Sequence, residues 1–361
     1  MLPPPSDPLT LRLLLNGLTG IGPVTVRRLH EAFQGDLQQA LLANAQTLRQ
    51  IKGLTAPMIS SLLQRDFDAV QEKKRAEELG YRILSVDDPL WPAALQHLWD
   101  PPLVLYADGT ATPTERSVAI IGSRHCTPYG TGLARSLARD LAKLGWWIVS
   151  GLARGIDMAA HEGALEAAGQ TAAVLGHGLD LTYPPEALKL RRRITERGCL
   201  LSEFPLGRPA DRQSFPQRNR IVAGLARAVI VVETDVDGGS MITARFAGDL
   251  GKTLCALPGR VDSPTSRGCH ALIRDGAVLV SSLDDILAEL GEARGQLVLP
   301  LQQISAADAR WLRHFGGGTA HDSESLAQAA NCSHAEAAVA LTMLEIQGQL
   351  LRRTDGRHER A

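Results

Sequence analysis

One pattern is written twice between residues 117 and 157. The apolar run Ser117-Val-Ala-Ile-Ile stops at Gly122 and is followed at once by Ser123 and Arg124. After a helix-length interval a second run ends at Ser150-Gly151, with Arg154, Gly155 and Asp157 just beyond. Short apolar runs separated by a helical stretch predict parallel strands joined by a crossover, which places both strand ends on one edge of a sheet. Backbone N–H groups, hydroxyls and two guanidinium groups then converge at that edge. The natural guest is an anion, and a phosphate above all.

Composition frames this reading. The chain has 361 residues, 44% of them apolar and 21% charged, which is enough for a sizeable core and two or three domains. Lys plus Arg number 38 against 39 Asp plus Glu, so no global positive field advertises a nucleic-acid partner. Any anion site must be local. Five cysteines (Cys126, Cys199, Cys255, Cys269, Cys332) lie far apart without a CxxC pair. That spacing argues against a zinc site and for reduced thiols in a cytosol. The opening Pro3-Pro-Pro-Ser-Asp7 carries no basic region, which argues against a signal peptide, and no apolar run reaches the length of a membrane span.

The chain divides into an expected helical domain at 1–80, a connector at 81–111, an α/β core at 112–290, a linker at 291–305 and a small C-terminal domain at 306–361. The first contains a weak repeat, Leu18-Thr-Gly-Ile-Gly-Pro and Ile51-Lys-Gly-Leu-Thr-Ala. A helix, a glycine turn and a second helix form a helix-hairpin-helix unit, whose turn N–H groups can hold a phosphate, or a plain helical packing domain. The core alternates strand-like runs at 118–121, 147–149, 172–175, 200–202, 229–232, 253–256 and 277–280 with helices such as 131–144. That alternation predicts a Rossmann-like, mostly parallel sheet. Helical runs at 306–315, 323–330 and 334–347 precede Leu350-Leu-Arg-Arg-Thr-Asp-Gly-Arg, the pattern of a winged helix.

Further loops sharpen the expected site. Leu175-Gly-His-Gly178 ends a third strand, and Asp237-Gly238-Gly239-Ser240 precedes a helix whose dipole favours an anion. The Asp237 loop is not a Walker loop, and Gly122-Ser-Arg does not match the dinucleotide fingerprint. Arg218 and Arg220 flank Asn219 at the start of a predicted helix, where spacing of two puts them on different faces. From Lys189 to Arg227 ten basic residues stand against three acidic ones. Asp157 and His161 lie four apart on a helix, the spacing of a cap and a satisfied buried histidine, and no catalytic role is assigned to them.

The ordered set GSR (122–124), SGLARGID (150–157), AVLGHGLD (173–180), YP (183–184), SEFP (202–205), FPQRNRIVAGL (215–225), GGSMITA (238–244) and PG (258–259) closely resembles the DNA processing protein A (DprA/Smf) family. The resemblance covers about half the chain. It implies a Rossmann-like core that binds single-stranded DNA, forms a homodimer, protects incoming DNA and helps load the recombinase RecA during natural transformation in the cytoplasm. It also implies a sterile-alpha-motif-like N-terminal domain and a C-terminal winged helix that could touch duplex DNA. His177 departs from the small residue or Cys usual there, Phe204 from the usual Tyr, and Arg267-Gly-Cys-His from the usual segment.

The expected DNA-binding residues are Ser123, Arg124, Ser150, Gly151, Arg154, Gly178, Arg218, Arg220, Gly238, Gly239 and Ser240, with Arg124 and Arg220 converging on one phosphate track. No catalytic residue, metal or cofactor is expected. The rival is an enzyme resembling the lysine-decarboxylase-like nucleoside monophosphate hydrolases, which carry a glutamate a few residues after a Gly-Gly-x-Gly-Thr loop. Here no Asp or Glu follows Gly238-Gly239 before Asp249, so the acid–base carboxylate is missing at that place.

Overall fold

The computed structural model describes residues 5–292, 306–315, 319–346, 349–353 and 355–360. The expected linker lies outside the described residues from 293 onward, as does Gln347 at the end of the last expected helix. Residues 1–292 form one compact unit and 293–361 a second.

The first unit is built on nine strands. They are β1 (Arg82–Leu84), β2 (Leu105–Gly109), β3 (Ser117–Ile121), β4 (Trp147–Ser150), β5 (Thr171–Val174), β6 (Cys199–Ser202), β7 (Ala228–Val231), β8 (Thr253–Ala256) and β9 (Val278–Leu279), in the sheet order β1-β2-β6-β5-β4-β3-β7-β8-β9. From β6 across to β9 every neighbour is parallel, whereas β2 pairs antiparallel with both β6 and β1. The chain starts the parallel set at β3, winds outward through β4, β5 and β6, and then returns to the other side of β3 as β7. β3 and β7 therefore flank the switch point, where the connections leave in opposite directions and open a crevice beyond the strand ends.

Residues of β3 to β7 are buried on both faces, which is why these strands read as continuous apolar runs rather than alternations. Segment 81–111, expected as a connector, supplies β1, β2 and the buried residues Trp91, Leu95 and Leu98. Its strands are short and separated by Asp87, Asp88 and several prolines, so their pattern resembles a loop.

Six helices precede the sheet: α1 (Pro8–Gly17), α2 (Pro23–Ala32), α3 (Leu37–Leu42), α4 (Ala45–Arg49), α5 (Ala56–Gln64) and α6 (Ala69–Glu78). The turns at Gly20 and Gly53, with φ of 77° and 88°, separate α1 from α2 and α4 from α5. Leu13, Leu15, Leu29 and Leu62 from these helices share a core with Val104, Tyr106, Ala173 and Leu175 of the sheet region. Glu72 of α6 fixes the join, because its buried Oε1 accepts from the Tyr106 hydroxyl at 2.8 Å and from the Leu206 N–H at 2.7 Å.

The crossover helices α7 (Pro128–Lys143), α8 (Ile156–Glu166) and α9 (Leu188–Arg197), with the later α13 (Leu283–Glu289), cover the same face as the N-terminal helices. The other face carries α10 (Ser214–Leu225), α11 (Gly239–Asp249) and α12 (Pro264–Arg274). In α7 Leu133 and Leu137 are only half-buried, and Leu144 is exposed. The face that packs is Ala134, Ala138, Leu141 and Ala142. Small residues win because α7 and α8 approach closely: a Cβ added at Gly163 of α8 would strike the Arg135 carbonyl of α7.

The second unit comprises α14 (Ala306–Leu312), α15 (Ser323–Ala330), α16 (His334–Ile346) and the antiparallel hairpin β10 (Leu350–Arg352) with β11 (His358–Arg360). Trp311, Phe315, Leu326, Leu341 and Leu344 form its core.

Candidate functional site

A cavity of about 390 Å³ opens at the switch point, within the size range of small-ligand sites. Its walls come from the loop after β3, the loop after β4, the first turn of α8, the start of α10 and the N-terminus of α11. Of the expected residues, Ser123, Arg124, Gly151, Arg218, Gly238, Gly239 and Ser240 line it.

The loop after β3 is set from below. The Ser123 N–H donates to the Glu233 carbonyl at 2.7 Å, linking the ends of β3 and β7. The Glu233 carboxylate accepts from the Thr127 N–H at 2.8 Å and from its hydroxyl at 2.6 Å, which fixes the N-terminus of α7. Ser123 Oγ accepts the His125 N–H at 3.0 Å, a turn that leaves Arg124 exposed.

The loop after β4 is folded around Asp157. Its Oδ2 accepts from the Gly151 N–H at 3.1 Å and the Ala153 N–H at 3.3 Å. Between them Leu152 sits buried with a φ of 55°, an arrangement that a branched-chain residue adopts only under constraint from its surroundings. Gly155 has a φ of 81°, and a side chain there would press on the Ser123 carbonyl. The two halves of the sequence doublet thus interlock.

Arg218 lies buried beneath these loops. Its Nη1 donates to the Gly151 carbonyl at 2.5 Å and to the Val174 carbonyl, joining α10 to the ends of β4 and β5. Burial holds its guanidinium below the usual arginine value, at about 10, while the nearby Asp157 carboxylate opposes and the nearby Arg124 cation adds to that shift. Burial also raises the Asp157 carboxyl, against the pull of Arg218 and the backbone N–H groups. Arg218 remains charged at neutral pH.

Arg124 brings an uncompensated charge to the cavity. It forms no ion pair among the described residues, and its guanidinium lies 4.8 Å from the centre of the Phe215 ring. Phe215 in turn meets Tyr183 with ring centres 5.7 Å apart. The floor is the N-terminus of α11, capped by Gly238 without a side-chain hydrogen bond. The first N–H groups of such a helix lack intrahelical partners, and the dipole favours negative charge. Ser240 Oγ is committed, donating to Thr234 Oγ1 at 2.7 Å.

Four expected residues lie outside this cavity. Ser150 is buried at the end of β4 and donates to the Ile120 carbonyl at 2.6 Å, tying two strands. Gly178 is buried against the Pro205 carbonyl and Asp180, where its N–H donates to the Arg208 carbonyl at 2.9 Å. Arg154 lines a smaller adjoining recess and is paired with Glu186 through Nη2 at 3.1 Å. Arg220 points away from Arg124: it is buried and paired with Glu203 at 2.6 Å and Asp100 at 3.0 Å. The expected convergence of Arg124 and Arg220 is therefore replaced by one of Arg124 with Arg218. Two positions along a helix turn a side chain by about 200°, so only one of the two α10 arginines can face the cavity.

Sequence reasoning missed His125, Arg212, Phe215 and Asn219, which also line the cavity. Phe215 and Asn219 belong to the FPQRNR segment, where the two arginines are the more obvious anion ligands. His177 holds its own loop in place. Its Nδ1 lies 2.9 Å from the Gly178 carbonyl, and the Ser202 hydroxyl donates to its carbonyl at 2.7 Å. Burial depresses the proton affinity of its imidazole.

Comparison with known proteins agrees with this architecture. The family described as DNA recombination-mediator protein A matches residues 82–291. Protein Smf of Synechocystis is 37% identical over 78% of this chain and 74% of its own length. DNA processing protein DprA of Streptococcus pneumoniae is 37% identical over 70% of this chain and 88% of its own. Among solved structures, the X-ray structure of Streptococcus pneumoniae DprA aligns with a TM-score of 0.65 at 33% identity, covering 78% of this chain and 97% of that one. A structure of DNA processing protein A from Helicobacter pylori, described as showing a unique single-stranded DNA binding mode, aligns with a TM-score of 0.53 at 36% identity over 59% of this chain and 96% of that one. The matched segment begins at β1 and runs one residue past Leu290, so it contains the whole sheet and every wall of the switch-point cavity, and the chain belongs to the DNA recombination-mediator protein A family.

Proposed function

We propose that the chain binds single-stranded DNA through the switch-point cavity and performs no chemistry on it. One observation carries this reading. Arg124 stands unpaired over Phe215, close enough to the buried Arg218 for the two cations to disfavour each other. A phosphate seated between them and the α11 N-terminus relieves that repulsion and fills donors that have no partner. A base leaving the same phosphate finds the Phe215 ring in the cavity wall and the Tyr183 ring in the adjoining recess, apolar faces that any base can stack on. The cavity is a crevice between strand-end loops and helix N-termini, which a flexible strand can enter and a rigid duplex cannot.

The cavity carboxylate Asp157 is occupied by two backbone N–H groups and faces the buried charge of Arg218. No carboxylate follows Gly238-Gly239 before Asp249, which supports a binding protein over a nucleotide hydrolase. The Helicobacter pylori relative's single-stranded DNA binding supports the ligand. We extend the reading to the family's wider role. In it, a cytoplasmic homodimer protects incoming strands and hands them to RecA in natural transformation.

Comparing oligo(dT), duplex and deoxynucleoside monophosphate by fluorescence competition tests the ligand class. Oligo(dT) should bind well below the concentrations at which the other two compete. Equal competition by the duplex, or release of free base from the monophosphate, would overturn it.

A further inference from the structure

Helix α9 carries a basic stripe that the cavity does not use. Lys189, Arg192, Arg193 and Arg197 follow one another at spacings of three, one and four, so they lie along one side of the helix. All four are exposed, and none forms an ion pair among the described residues. The opposite side buries Leu190, Arg191 and Ile194. Arg191 differs from its neighbours in holding the loop before α9: it donates to the Leu179 carbonyl at 2.6 Å, to Thr182 Oγ1 at 3.1 Å and to the Leu181 carbonyl. The run of three arginines thus separates into one structural residue and an outward-facing pair.

The stripe begins where the cavity's annex ends. Arg154 and Tyr183 line the recess that adjoins the main cavity, and Arg124 and Phe215 border both. Arg154 is held by Glu186, three residues before Lys189. Tyr183, 39% exposed, stands at the turn that leads into α9. A path from Arg124 over Phe215 and Tyr183 therefore arrives at the first turn of α9, and the helix continues it for about 15 Å. Acidic groups nearby are few and mostly engaged: Glu186 by Arg154, and Glu162 and Glu166 by Arg135. Glu166 is close enough for the Arg193 charge to stabilise its carboxylate, and Glu196 is the one acid on α9 itself.

Resting on the cavity reading above, we propose that the α9 stripe is an outer phosphate track, which holds single-stranded DNA after it leaves the cavity past Tyr183. Unpaired guanidinium groups at intervals of a helical turn suit a phosphodiester backbone, whose charges repeat without regard to sequence. The track adds affinity only for strands long enough to reach it.

The test compares the full chain with a variant carrying Lys189→Ala, Arg192→Ala, Arg193→Ala and Arg197→Ala, using oligo(dT) of about three and about twenty nucleotides, lengths below and above the roughly 4–16 nucleotides of a single-strand site. The variant should bind the short oligonucleotide within about twofold of the parent. It should bind the long one about tenfold more weakly, with a salt slope lower by about 0.7 for each lost contact. A second variant with lysine at the three arginine positions should recover the long-strand affinity, which excludes a folding defect. Unchanged affinity and slope for the long oligonucleotide overturn the track, as does an equal loss for both lengths. An Arg124→Ala control separates the two ideas: if it leaves both lengths unaffected, the cavity reading itself fails.

Discussion

Arg220 and Glu203 form a buried two-point pair, Nη1 to Oε1 at 3.1 Å and Nη2 to Oε2 at 2.6 Å, that joins α10 to the loop after β6. Asp100 completes it from Nε at 3.0 Å. Two residues earlier, Arg218 spends its donors on strand-end carbonyls under the cavity. One short motif thus anchors the helix on two sides, and its arginines carry structure before they carry ligand.

Replacing Arg220 with Ala strands Glu203 in a buried position without its counter-charge. Breaking a buried pair on one side costs about 3–5 kcal/mol. Urea unfolding should show that loss, and the double variant Arg220→Met with Glu203→Leu should recover much of it. A single variant as stable as the parent would refute the pairing.

His161 makes stability depend on pH in a defined window. Burial depresses its pKa from 6.5 to about 3, while Nδ1 contacts Thr171 Oγ1 at 2.7 Å and Nε2 has no partner. The unfolded chain therefore binds a proton that the folded chain refuses, so stability falls as pH drops below 6.5 and continues falling toward 3. Between pH 7 and 5 this residue alone should cost about 2 kcal/mol. His161→Asn, which can keep the bond to Thr171, should unfold with a flatter pH dependence over that window. Parallel curves for variant and parent would exclude His161 as the source.

Phe215→Ala removes the ring under Arg124 and beside Tyr183. A lost base stack is worth about 1–3 kcal/mol, or roughly five- to 150-fold in affinity. Oligo(dT) binding should weaken on that scale, whereas an abasic oligonucleotide of equal length should bind both proteins alike. Equal losses on the two ligands would place Phe215 outside base contact.

The parallel strands were legible because burial on both faces leaves an uninterrupted apolar run, as in Ser117–Ile121. β1 and β2 were not, since short antiparallel strands at one side of the sheet, set among prolines and aspartates, carry no such signature. Arg124, Gly151 and the Gly238-Gly239 loop could be placed because glycine and hydroxyl residues at strand ends constrain backbone geometry directly. Ser150, Gly178 and Arg220 could not. Their types suit an anion site and a buried hydrogen-bond network equally, and only tertiary partners such as Ile120, Pro205 and Glu203 decide between them.

Whether Arg124 meets a DNA phosphate can be read from the salt dependence of oligo(dT) binding by Arg124→Ala. Arg124 is exposed and has no ion pair among the described residues, so its removal should leave thermal unfolding unchanged. Affinity should fall by about tenfold at moderate salt. The slope of log affinity against log salt should drop by about 0.7, the signature of one lost phosphate contact. A well-folded Arg124→Ala protein with the parent's affinity and slope would show that the strand does not enter the switch-point cavity.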